Sequence, residues 1–145
     1  MSEREERAVK VFMEGFNCAQ AVLTVFCEEY GLDELNALRI ATPFGGGVAA
    51  QGNTCGAYNG GVMVIGLKEG RIQADDAEAK AKCYELVQRF TERFEEMNGC
   101  LVCSDLVGFD MTDEKARTEA VESGVLRIKC SGFVRSAVNI LEEIL

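Results

Sequence analysis

The sequence contains no histidine and no tryptophan, and only one proline in 145 residues. Without histidine the chain lacks the side chain most used for proton transfer near neutral pH, and the commonest metal ligand. Any catalysis or metal binding must therefore rest on cysteine, carboxylates or backbone. Positive charge is also short, with 15 basic against 24 acidic side chains and a net charge of −9. Such a field repels phosphate backbones and anionic membranes, so no nucleic-acid partner is expected. No apolar run approaches the roughly 18 residues of a membrane span; the closest, GGVMVIGL, is far shorter. The N-terminus MSEREERAVK is charged and has no apolar segment of the kind a secretory signal needs. A soluble cytoplasmic protein without membrane insertion is expected. With no linker or low-complexity stretch, residues 1–145 are expected to form one domain.

What is present is helical spacing, with no good period-2 run, so the expected fold is all-α: a single compact helical bundle. A first helix is predicted over about residues 3 to 14 with Val9, Phe12 and Met13 inward, and a second from an N-cap at Asn17 to Gly31 along Cys18, Val22, Phe26 and Tyr30. Asp33 caps a third, which ends before Pro43. Gly45, Gly46 and Gly47 then form a flexible turn, and Asn53 or Thr54 caps a helix that runs to about Gly70 and is apolar nearly all round. A helix without a polar face belongs at the centre of a bundle. Asp75 or Asp76 opens a long helix with Cys83, Val87, Phe90, Phe94 and Met97 inward, closed by Asn98-Gly99. A short turn or helix from Cys103, a helix from Thr112 to about Glu122 and a last helix after Gly124 complete the chain.

Seven cysteines are a rich supply for a chain of this kind, and an odd number cannot close wholly into intramolecular disulfides. Cys18, Cys55, Cys103 and Cys130 each fall at or near a predicted helix start and face inward by spacing. Helix N-termini present unpaired N–H groups and the positive end of the macrodipole, which favour thiolate. Among these, Cys55 is expected to be the most exposed. Cys27 and Cys83 lie within apolar stripes and are expected to be inert core. Cys100 makes a lone Cys-x2-Cys with Cys103, without the second pair of a full zinc pattern. Gly56, Gly60 and Gly61 each cost about 1 kcal/mol in a helix interior relative to Ala, so they serve either close helix–helix approach or, at Gly56 and Gly60, room for a ligand or second sulfur beside Cys55.

The order NCAQAV around Cys18, CGAYNGG from Cys55 to Gly61, GCLVCSDL with Cys103, and Cys130 near the chain end resembles the C_GCAxxG_C_C family of redox-active proteins over nearly the whole chain. The resemblance implies Cys18, Cys55, Cys103 and Cys130 as the functional set. Cys100 is an extra thiol, and Ser104-Asp105 stands where the family commonly has Arg-Glu. Three functions follow as expectations. The first is a thiol-based redox protein of the thiol–disulfide oxidoreductase kind, in which Cys55 exchanges with Cys18, Cys103 or Cys130, its redox partner or small-molecule substrate being unidentified and no cofactor being required. The second is a metal or iron–sulfur site held by the same four thiolates, which suit soft metals. The third is a helical scaffold or transporter-associated accessory protein whose cysteines only pack.

Overall fold

The computed structural model describes residues 1–145 and consists of eight α-helices without a β-strand. Side-chain caps set most starts. Ser2 caps α1 (Glu3–Met13), Asn17 caps α2 (Cys18–Thr24) in a reciprocal capping box with Gln20, and Asp33 caps α3 (Glu34–Ala41). Helix α4 (Gly56–Glu69) has Cys55 at its N-cap, while Asp76 caps α5 (Ala77–Asn98). After the short α6 (Cys103–Val107), Asp113 caps α7 (Glu114–Ser123), and α8 (Val125–Ile144) follows across Gly124. No helix is long and apolar enough to cross a membrane.

The glycine-containing α4 is central, packed between α2, α5 and α8, and α1 lies outside on α8 and α2. Val64 and Ile65 are completely buried, as an all-apolar helix requires. Gly60 and Gly61 are what let its neighbours in. A Cβ on Gly60 would stand 2.9 Å from the Ala19 carbonyl oxygen of α2, and one on Gly61 would collide with the tip of the Phe90 ring of α5. That ring stacks on Tyr58, whose hydroxyl meets Thr91 Oγ1 at 2.6 Å.

Several expected boundaries and faces differ. Helix α2 ends at Thr24, where the Thr24 hydroxyl donates back to the Gln20 carbonyl, and a turn with a short 3₁₀ segment completes the path to Gly31. The inward stripe of α1 is Glu5 and Ala8 with Phe12 beside them, so Met13, one residue further round, is exposed. On α5 the buried line is Leu86, Phe90 and Phe94, and Met97 lies past the edge of the core, exposed. The cap of α4 is Cys55 because Thr54 is engaged in an isolated antiparallel bridge with Val102.

The interior divides into a large cluster built on α2, α4, α5 and α8, and a small one of Cys103, Val107 and Met111. Cys55 is buried in the first and Cys18 packs against it; Cys130 packs against the second.

Candidate functional site

Between the two clusters lies a cavity of about 150 Å³, and Cys18, Cys55, Cys103 and Cys130 all line it. Three of the four are delivered by helix starts: Cys18 opens α2, Cys55 precedes α4 and Cys103 opens α6. Cys130 is not at a start. Gly124, at φ 81°, ends α7 and lets α8 begin at once at Val125, which leaves Cys130 in the second turn.

Two short devices hold these positions. The Thr54–Val102 bridge ties the α4 entrance to α6, with the Cys55 amide donating to the Leu101 carbonyl at 2.7 Å and the Cys103 amide to the Asn53 carbonyl at 2.6 Å. Asn17 secures α2, its side-chain amide donating to the Ala41 and Thr42 carbonyls at 3.2 and 3.0 Å. The remaining wall is the turn after Phe44. Its glycine run is no loose connection: Gly46, Gly47, Val48, Ala49 and Ala50 all have positive φ, between 50° and 71°. Left-handed backbone costs a non-glycine residue about 1–2 kcal/mol, and the turn is secured by amides of Ala50, Gly52 and Asn53 donating to the carbonyls of Gly45, Gly46 and Gly47. Gly47 must be glycine twice over, since a Cβ there would also stand 2.6 Å from Cys103 Cβ.

Burial decides the thiol chemistry. Cys55 is only 4% exposed, and desolvation pushes its pKa up to about 11, although the amides of Tyr58 and Ala57 pull the other way. Those amides lie outside regular capping hydrogen-bond geometry, so the dipole loses to burial. The expectation that Cys55 is the most exposed thiol is thereby overturned, because the N-cap of a central helix is itself central. Cys103 is pushed up to about 12, first by burial and then by the neighbouring Cys55 and Cys130 sulfurs. Cys130 goes down: a hydrogen bond from the Cys18 thiol holds it below the ordinary thiol range, against the effect of burial and with help from the Lys129 charge. Cys18 is correspondingly raised, first by that hydrogen bond and then by burial. The same contact therefore moves the two half-buried thiols in opposite directions, Cys130 down and Cys18 up.

The other cysteines stand apart, and none of them lines the cavity. Cys27 is fully buried in the turn after α2, its Sγ donating to the Thr24 carbonyl at 3.4 Å, and Cys83 is half-buried on α5. Cys100 is half-buried and close enough to Cys55 to raise its pKa slightly. Gly56 lines the cavity, and a Cβ there would sit 3.4 Å from Cys18 Cβ; Gly60 lies outside it, under α2. All seven thiols are free. No three of the chain's Cys, Asp and Glu side chains are grouped closely enough to make a ligand set for a metal ion.

Sequence reasoning missed Gly46, Gly47 and the apolar wall of Phe12, Leu106, Val107, Met111, Leu126 and Phe133. The glycine run was a visible signal for the first two. Nothing local marks the others, which come from α1, α6, α8 and the turn after α6 and meet only in the fold.

The fold is thus all-α, with four free thiols around one mostly apolar cavity. The chain matches the family described as "Putative redox-active protein (C_GCAxxG_C_C)" over residues 16–144, and it belongs to that family. The match takes in all four cavity cysteines. No curated protein and no solved structure matches the chain.

Proposed function

We propose that the protein is a thiol–disulfide exchange centre in which Cys130 is the attacking thiolate and Cys18 the resolving thiol. The observation that carries this reading is the single cavity into which Cys18, Cys55, Cys103 and Cys130 all bring free thiols, of which Cys130 is the one whose pKa is lowered. The thiolate is the nucleophile in exchange, and the hydrogen bond from Cys18 that lowers the Cys130 pKa favours that form without a histidine. Cys130 attacks a disulfide sulfur and expels one thiolate; Cys18 then attacks Cys130, releasing the second and leaving a Cys18–Cys130 disulfide. Two thiols are oxidised and one substrate disulfide is reduced to two thiols. Cys55 and Cys103, protonated at neutral pH, are the neighbours that complete the cavity wall.

Alkylation with iodoacetamide across pH, read by peptide mass spectrometry, tests the assignment. Cys130 is expected to react at lower pH than any other cysteine, and Cys18→Ser to move its reactivity to higher pH. Mapping after mild oxidation is expected to find Cys18 joined to Cys130. Alkylation of Cys130 only at or above the ordinary thiol range, or its persistence as a free thiol after oxidation, refutes the reading.

A further inference from the structure

The cavity also constrains what can be exchanged. Resting on the exchange reading above, we propose that the substrate is a small, uncharged, apolar disulfide taken wholly into the cavity, and not the disulfide of a protein or of a charged peptide. The volume of about 150 Å³ equals about five water molecules and is half the lower bound of about 300 Å³ for drug-sized pockets. A two-sulfur molecule with short alkyl ends fits. A peptide disulfide, which must bring its backbone along, does not.

The lining selects on charge as well as size. Phe12, Leu106, Val107, Leu126 and Phe133 face the sulfurs, and no Lys, Arg, Asp or Glu lines the cavity. Lys129, next to Cys130 in sequence, has its ammonium on the Val107 carbonyl at 2.9 Å and is not a cavity residue. Asn17, the one polar amide side chain in the wall, is committed to the Ala41 and Thr42 carbonyls. A charged substrate would shed its water with nothing to replace it, and an anionic one would first meet a net charge of −9. The leaving group points the same way. Cleavage of a disulfide expels a thiolate, which can take the Cys18 proton, whereas cleavage of a peroxide expels a far more basic oxygen anion, and no cationic side chain lines the cavity to receive it.

In the balanced reaction Cys130 sulfur bonds to one sulfur of RS–SR and the S–S bond breaks. The departing RS⁻ takes the Cys18 proton. The Cys18 thiolate then bonds to Cys130 sulfur and expels the second RS⁻, which is protonated from water. Both electrons come from the two cysteine sulfurs.

The test uses the full reduced chain and follows formation of the Cys18–Cys130 disulfide with dimethyl disulfide, cationic cystamine, anionic dithiodiglycolate, glutathione disulfide and tert-butyl hydroperoxide, each rate divided by that of the same probe with free cysteine. The expected result is a normalised preference for dimethyl disulfide of about tenfold or more, from the desolvation a charged probe must pay. Leu126→Ala, which widens the wall at a half-buried position, is expected to narrow the preference over glutathione disulfide. Normalised rates for a charged, large or peroxide probe equal to or above that for dimethyl disulfide overturn the proposal, as does a Leu126→Ala variant, folded by circular dichroism, with unchanged selectivity. If no probe oxidises Cys130, the exchange reading itself fails; if all do so without preference, only the substrate class fails.

Discussion

Replacing Gly60 by Ala tests the link between the packing of α4 and the chemistry of the cavity. The new Cβ would lie 2.9 Å from the Ala19 carbonyl oxygen, 3.2 Å from Ala19 Cα and 3.1 Å from Val22 Cβ. Two of these atoms are backbone of α2 and cannot rotate away, so the helix must shift as a body. Overpacking of this kind costs about 1–3 kcal/mol, and better helix propensity returns about 1 kcal/mol. With two backbone contacts the upper part of the range applies, and the net destabilisation is about 1–2 kcal/mol, or about 3–8 °C in melting temperature for a chain of this length. Because α2 carries Cys18 at its first position, its displacement is also expected to loosen the Cys18–Cys130 hydrogen bond and slow alkylation of Cys130 at neutral pH. Gly66→Ala is the control, since nothing lies within 4 Å of the added Cβ. It is expected to gain about 0.5–1 kcal/mol from propensity alone. Thermal unfolding by circular dichroism and iodoacetamide kinetics read both effects. A Gly60→Ala chain as stable as wild type, or both variants equally stabilised, would refute the close α2–α4 approach.

Three further outcomes are expected. Asn17→Ala removes the cap on the Gln20 amide and two hydrogen bonds to Ala41 and Thr42; urea unfolding should show a loss of about 1–3 kcal/mol, with slower Cys130 alkylation as α2 loosens. Cys27→Ala and Cys83→Ala should leave Cys130 reactivity in place, with the fully buried Cys27 the costlier of the two at about 1 kcal/mol; loss of Cys130 reactivity in either folded variant would contradict their separation from the cavity. Stability should fall as pH rises above the ordinary thiol value of 9.0, because Cys55 and Cys103 stay protonated in the fold up to about 11 and 12 while their unfolded counterparts ionise. Urea midpoints measured from pH 8 upwards check this, and Cys55→Ala should flatten the alkaline decline.

Local signals carried far along this chain. Asn17, Asp33 and Asp76 cap helices where a side-chain oxygen can meet its own third amide, and Gly99 and Gly124 take the positive φ that ends α5 and α7; such features need only a few residues of context. The limits were equally physical. Met13 and Met97 are apolar and near the right spacing, yet a face is set by what packs on it, and both lie past the core edge. The α4 cap moved to Cys55 because Thr54 is claimed by Val102, a partner far away in sequence.

Composition and spacing by themselves determined that the protein is all-α, and helix position together with the family resemblance singled out Cys18, Cys55, Cys103 and Cys130, because helical period and the four-cysteine pattern are properties of the chain as written. Only the tertiary structure decided which thiol pKa values rise and which falls. A thiol pKa is set by desolvation and by neighbouring donors, and these come from elements that meet only in the folded protein: the core that buries Cys55, and the Cys18 thiol that α2 brings to Cys130 on α8.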